Sequence, residues 1–366
     1  MQGSRITIDL SAFDRNFAAV KAAISDGGGP AIMAVVKSDA YGHGLERVVE
    51  RAVAAGIPWF AVAYMHEALR VRAVAPDAEI LVIGPIEAAD VSAAVAKRIT
   101  PIVVSPAHAL ELGSAASAKA PLQVHVKVDS GMGRLGAMPS ELDAIAGQSG
   151  LQISGICSHF AAVEPQRIEN AQAQVAVFTA CAEHVESLLG RRLLRHISSS
   201  RAMQYFSDWD LNIVRPGIVL YGYGSSAAGM RVQTEPCLEW RTGIMQVKEV
   251  PEDTPIGYYA SYRTMQRTDI ATIGAGYADG YLRSLSNRGL ALVGGRRVPV
   301  VGRISMNWIT LELGPDSGHT AGDEVVLLGR QADESIWAAD LSRWAGTIAY
   351  EILTAISPHL PRVYKQ

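Results

Sequence analysis

The feature that most limits the folds open to this chain is the regular return of short apolar, β-branched runs between residues 31 and 215. They fall at Ala31 to Val36, Trp59 to Ala63, Ile80 to Ile83, Ile102 to Val104, Val124 to Val128, Ser154 to Cys157, Leu194 to Ser198 and Ile213 to Arg215. Between them lie stretches rich in Ala, Leu, Glu and Arg with apolar residues at helical spacing, among them Gly44 to Ala55, His66 to Val74 and Ala171 to Leu189. Strands that alternate with helices pair in parallel through right-handed crossovers, and eight such repeats fit a closed (β/α)8 barrel better than an open doubly wound sheet.

Beyond about residue 228 the texture changes. Runs at Gly243 to Val250, Ile270 to Ile273, Leu290 to Val293, Val298 to Val301, Trp308 to Leu313 and Glu324 to Leu328 are separated by Gly, Pro, Asp and Asn turns, the pattern of a mainly antiparallel β domain. Gly294-Gly295 predicts a tight hairpin between two of them. Ser335 to Trp344 predicts a helix with Ser335 as N-cap. The expected division is therefore a barrel over 1–228 and a β domain over 229–366.

A net charge of −3 with interspersed signs offers no basic block for nucleic acid. Three scattered cysteines, Cys157, Cys181 and Cys237, give neither a disulfide framework nor metal-ligand spacing and point to a reducing compartment. With no apolar run of membrane-spanning length and no secretion signal, a soluble cytoplasmic protein is expected, with no bound metal and no membrane partner.

In a barrel the chemistry collects at the C-terminal ends of the strands. The first run ends in Lys37, the fifth is followed by Asp129-Ser130-Gly131-Met132-Gly133-Arg134, the sixth by Ser158-His159, the seventh by Ser198-Ser199-Ser200, and the eighth ends in Arg215-Pro216-Gly217. Each has a plain reading: a solvated strand-end lysine, a hydrogen-bonded core histidine, an ion-paired arginine. Together on one rim they read as a site. Small and hydroxyl residues after the seventh and eighth strands suit a phosphate, because backbone N–H groups can approach it closely. Phosphate plus a rim lysine is the demand of pyridoxal 5′-phosphate, whose aldehyde takes the amine as a Schiff base. A rival is open: Gly131 to Gly136, "GMGRLG", fits Gly-x-Gly-x-x-Gly after a strand, as in dinucleotide-binding oxidoreductases. Against it, Pro139 interrupts the expected helix start and no acidic residue stands near Gly155 to take a ribose. A non-catalytic pyridoxal-phosphate-binding module is a second rival.

The blocks "AVVKSDAYGHG" (34–44), "KVDSGMGRLG" (127–136), "IVRPGIVLYG" (213–222), "GYADGY" (276–281) and "VGRISMN" (301–307) resemble, in order, the signature blocks of the alanine racemases, pyridoxal-phosphate enzymes built from a barrel and a β domain. The resemblance implies that Lys37 holds the cofactor and is one of two acid/base groups. Tyr258 matches the other, which in the family reaches the site from the second subunit, so a homodimer with shared sites is implied. Arg215 matches the arginine facing the pyridine nitrogen, and His159 a histidine beside the ring. Tyr41, Ser200, Gly217 and Tyr350 match residues around the phosphate. Arg134 matches an arginine that positions the base and the substrate carboxylate, and Lys127 a lysine that is often carbamylated. Tyr277 and Met306 match groups at the substrate entrance and the substrate carboxylate. Three features depart from the pattern: Ser199 replaces a usual asparagine, Asn307 a usual aspartate, and "FAAVEP" after His159 lacks the usual Ala-Asp-Glu ending. Alanine is the expected substrate, with a broader or serine-preferring racemase as the alternative.

Overall fold

The computed structural model describes residues 3–24, 29–117, 119–224 and 230–366. They form two compact units: Phe13–Ala40 with Gly44–Glu235, and Met1–Ala12 with Tyr41–His43 and Pro236–Gln366. The boundary expected between residues 228 and 229 lies outside the described residues.

The first unit is the expected barrel. Its eight strands are Ala31–Val35, Trp59–Val62, Glu79–Val82, Ile99–Val103, Leu122–Lys127, Leu151–Cys157, Leu194–His196 and Ile213–Val214. The first seven pair in parallel, each with the next, and the eighth pairs with the first. Closure between the seventh and eighth comes from a parallel bridge of Ser199 to Arg215, with Asn212 N–H donating to the Arg195 carbonyl at 3.1 Å and Arg215 N–H to that of Ser198 at 3.1 Å. The helix Leu45–Ala54 shows why the outer ring packs, since Leu45, Val48, Val49 and Ala52 form one buried stripe.

The second unit is mainly antiparallel, around the thirteen-residue strand Leu238–Val250. One half of it pairs with Arg5–Asp9 and Glu324–Gln331, and the other with Thr268–Ile273, the change marked by a register shift between Ile244 and Gln246. The N-terminal strand thus joins this unit and not the barrel. Ile6 and Ile8 are fully buried there, worth about 1.5–3 kcal/mol each relative to exposure, and the strand also pairs in parallel with Arg362–Lys365.

Gly294 and Gly295 form the expected hairpin, with φ of 56° and 76° joining Leu290–Val293 to Arg296–Pro299. The expected helix from Ser335 is displaced. Ser335 lies in the strand Glu334–Ile336, drawn in by the fully buried Ile336, and the helix runs Ala338–Ala345. Its cap is the Asp340 carboxylate, which accepts the Trp337 N–H at 3.0 Å.

Candidate active site

Lys37 follows the first barrel strand and opens a turn in which Ser38, Asp39, Ala40 and Tyr41 all have φ of 54–55°. This is one turn of left-handed helix, a conformation that costs about 1–2 kcal/mol per residue. Partly buried hydrogen bonds hold it. The Glu67 carboxylate accepts the Ser38 N–H at 2.6 Å through one oxygen and the Ala63 and Tyr64 N–H groups at 2.8 and 3.2 Å through the other. Asp39 accepts the Leu45 N–H at 3.1 Å and an Arg70 N–H at 2.7 Å, and Arg70 is clasped in turn by Glu46 at 2.7 Å. The lysine is thereby fixed at the rim. Burial pushes its amine below the usual lysine range, the charge of Arg134 pushes the same way, and Glu67 opposes them.

Arg215 is 7% exposed and held by several groups of its own unit. Its guanidinium donates to His196 Nδ1 at 2.6 Å, to the Ser158 and Ile197 carbonyls at 2.7 and 3.1 Å, and approaches His159 Nδ1 at 3.5 Å. Burial holds His159 down to about 3, helped by the positive charges of Arg215, Lys127, Arg134 and Lys37. Lys127 is lowered by burial; nearby Cys157 resists this, while Arg215 and Arg134 add to it. Four cationic residues thus converge on His159, whose shift records all of them.

The "GMGRLG" segment is a loop folded around a carboxylate of its own chain. Asp129 Oδ1 accepts the N–H groups of Gly131, Met132 and Gly133 at 2.9, 2.8 and 3.1 Å, and Oδ2 that of Arg134 at 3.2 Å. Burial raises this carboxyl, but the four N–H groups more than reverse the effect and hold it low. The amides that would cradle a dinucleotide pyrophosphate are already occupied. After the eighth strand, Ser200 Oγ accepts the Gly217 N–H at 2.7 Å and the Val219 N–H at 3.4 Å, at the start of the 3₁₀ turn Ile218–Tyr221.

In the β unit, the blocks 276–281 and 301–307 are neighbours, and Gly257-Tyr258 lies beside the second of them. Tyr277 N–H donates to the Ser305 carbonyl at 3.0 Å and Ala278 N–H to that of Met306 at 2.9 Å. A Cβ on Gly276 would lie 2.2 Å from the Met306 carbonyl oxygen, so only glycine permits this approach. Gly257, at φ 72° before Tyr258, lies against the backbone of Gly302 and Arg303. Tyr258, Tyr277, Met306 and Asn307 are exposed in this unit. Tyr41 is buried against Tyr350, ring centroids 5.8 Å apart, and burial followed by the Tyr350 phenol pushes its hydroxyl far above the usual tyrosine range.

The family model for the alanine racemase N-terminal domain matches residues 8–225, and that for the alanine racemase C-terminal domain matches residues 237–364. The chain belongs to the alanine racemase family. The alanine racemase of Halothermothrix orenii is 37% identical over 98% of this chain and 96% of its own length. The crystal structure of alanine racemase from Bacillus anthracis with bound L-Ala-P superposes with a TM-score of 0.92 at 32% identity, covering 100% of this chain and 96% of that one. The enzyme from Bartonella henselae with covalently bound pyridoxal phosphate gives a TM-score of 0.89 at 27% identity, covering 100% of both chains.

Among the expected residues of this alanine racemase family member, Lys37, Lys127, Arg134, His159, Ser200, Arg215 and Gly217 lie in the barrel unit, and Tyr41, Tyr258, Tyr277, Met306 and Tyr350 in the β unit. Sequence reasoning missed the residues that hold them. Glu67 carried one signal, its place three residues after Tyr64 at the start of a helix. His125 and His196 carried none beyond standing in strands.

Proposed function

We propose that this chain racemises alanine with pyridoxal 5′-phosphate, using Lys37 on one face of the substrate Cα and the partner subunit's Tyr258 on the other. The observation that carries it is the barrel rim, where a lysine with a depressed amine shares a surplus of positive charge with Lys127, Arg134 and Arg215. That donor set fits a guest with an aldehyde, a phosphate and a ring nitrogen. Lys37 would bind the aldehyde carbon; Ser200, Gly217, Tyr41 and Tyr350 would hold the phosphate; His159 would lie beside the ring and Arg215 face its nitrogen. When bound, the cofactor supplies an electron sink that makes the substrate Cα–H removable by groups of ordinary basicity.

The chain's own groups decide the outcome. A guanidinium has N–H donors and no acceptor, so Arg215 leaves a nitrogen opposite it unprotonated and weakens the sink. That restrains side reactions that need a long-lived carbanion. Inversion needs a proton removed from one face and another delivered to the opposite face, hence two groups. Arg134 orients the substrate carboxylate with Met306, and Tyr277 guards the approach. Lys127, its amine lowered by burial, is disposed to be neutral and to take up carbon dioxide, giving Arg134 an anion to face.

The shared site makes a homodimer the working unit, supported by the exposure of Tyr258 in its own chain. A cytoplasmic location is supported by three buried free cysteines; among the described residues no helix is long and apolar enough to cross a membrane. In that setting the enzyme would supply D-alanine for peptidoglycan or feed its breakdown. Asn307, exposed beside Met306, favours a second reading in which serine is also turned over. Borohydride reduction of the purified protein followed by peptide mapping should place a pyridoxyl adduct on Lys37, and chiral chromatography should show L- and D-alanine approaching equal amounts. An adduct on another lysine, or none after reconstitution, would refute the assignment.

A further inference from the structure

Behind Arg215 lies a chain of two histidines that the proposed chemistry does not touch. The Arg215 guanidinium donates to His196 Nδ1 at 2.6 Å, and His196 Nε2 lies 2.8 Å from His125 Nδ1. His196 is fully buried and His125 1% exposed. Arginine has no acceptor, so His196 Nδ1 must offer its lone pair. The neutral ring then carries its proton on Nε2 and donates it to His125 Nδ1, and His125 in turn keeps its own proton on Nε2. A proton on His125 Nδ1 would face the proton on His196 Nε2, so only one arrangement satisfies both contacts.

The far end of the chain is held by shape. His125 Nε2 is buried and has no hydrogen-bond partner among the described residues. A Cβ on Gly155 would lie 2.6–2.7 Å from three atoms of the His125 ring. Gly155 faces His125 because the pairing of the fifth and sixth strands shifts register there, Val124 opposing Ile153 and His125 opposing Gly155. The extra residue, Ser154, is a bulge of the kind that re-aims a strand beside a site.

We infer that His125 is a positioning residue that acts through His196 on Arg215: it fixes the His196 tautomer, and so fixes the direction in which the guanidinium points. Burial and the Arg215 charge keep both rings uncharged, His125 down to about 3 and His196 well below its ordinary value. A neutral relay holds Arg215 by geometry and leaves its charge for whatever lies opposite. The proton arrangement stands on the barrel alone. Its consequence for catalysis rests on the reading of Arg215 as the group that faces the cofactor ring.

The test uses the full-length holoenzyme with ¹⁵N-labelled histidine. Both rings should appear neutral, with Nδ1 bare and Nε2 protonated; a cationic ring, or a proton on either Nδ1, overturns the inference. His125→Leu removes the acceptor and should lower kcat by about 10–100-fold, the value of a hydrogen bond within a charged network. KM for alanine should change little, and the cofactor absorption band should move. His125→Asn returns an acceptor at the δ position and should recover most of the loss. Gly155→Ala displaces the ring without changing its chemistry and should resemble His125→Leu, which keeps the test open if the leucine variant does not fold. Unchanged kcat and absorption in the folded leucine or alanine variant would refute the relay. A holoenzyme with the stated tautomers that racemises no alanine would sink the proposed function and leave the proton arrangement standing.

Discussion

Arg215 in the barrel unit is 7% exposed and spends its guanidinium on His196, His159 and two backbone carbonyls, whereas Tyr258 in the β unit is 65% exposed and its neighbour Tyr259 90%. The same contrast holds for their companions. The barrel's candidates are locked by groups of their own unit: Ser38 by Glu67, the loop of Arg134 by Asp129, Gly217 by Ser200. Those of the β unit other than Tyr41 and its ring partner Tyr350 are aromatic and methionine side chains presented to solvent on turns, the composition that marks surfaces awaiting a partner. A rim that is finished within one chain and a set of turns that is not are what a site shared between two chains would require of its two contributors.

The sharpest way to break this comparison is subunit exchange. Lys37→Ala removes the barrel's contribution and Tyr258→Phe that of the β unit, and each parent dimer should lose about 10²–10⁴-fold or more of its racemase activity, the range of a positioned acid or base. Mixed under exchange, hybrid dimers carry both lesions in one site and none in the other, so a random mixture should regain about a quarter of wild-type activity if the assembly is a two-fold dimer. No recovery from verified hybrids would mean that each site is complete within one chain.

A middle-sized effect separates the units by pH. His125 is held down to about 3 and His196 well below the ordinary 6.5, both by burial first and the Arg215 charge second. Unfolded, both take up a proton near 6.5; folded, they remain neutral. Below that value the unfolded chain binds more protons, so stability falls with pH by about 1.4 kcal/mol per unit for each histidine, and is unaffected by them above it. Denaturation of the holoenzyme between pH 7 and 5 should show a falling midpoint, and His125→Asn should remove one histidine's share of the slope. An unchanged slope in that variant would place the acid sensitivity elsewhere.

What could be read from sequence follows the same division between local and distant. The eight barrel runs were visible because strands in a parallel sheet, covered on both faces, are continuously apolar, and Gly294-Gly295 was visible because a two-residue hairpin demands positive φ. The left-handed turn after Lys37 has no period to detect. It exists because Glu67 and Arg70, from the second repeat, bind its backbone and Asp39. The N-terminal strand's place in the second unit had no local signal, because its partners lie more than 200 residues away. "GMGRLG" was ambiguous because glycine spacing says that backbone N–H groups converge without saying on what; the answer, Asp129, stood two residues before the motif.

The smallest effect probes the unfinished side most finely. Asn307 follows Met306 on an exposed loop of the β unit, where the family pattern has aspartate. Asn307→Asp changes charge and hardly changes volume, so its influence on the choice between alanine and serine depends on how dry the loop becomes in the assembly. In water a unit charge acts weakly: about 1 kcal/mol at 4 Å, against about 4 kcal/mol at an effective dielectric constant of 20. Discrimination between such small side chains is itself worth about 1–3 kcal/mol unless a buried polar contact is involved. The variant should therefore shift the alanine-to-serine ratio of kcat/KM by no more than about tenfold, measured with both substrates at one ionic strength. A larger shift would show the loop desolvated by a partner chain and carrying specificity. A change within experimental scatter at low salt would show that it stays in water, and would confine the β unit's part in substrate choice to Tyr277 and Met306.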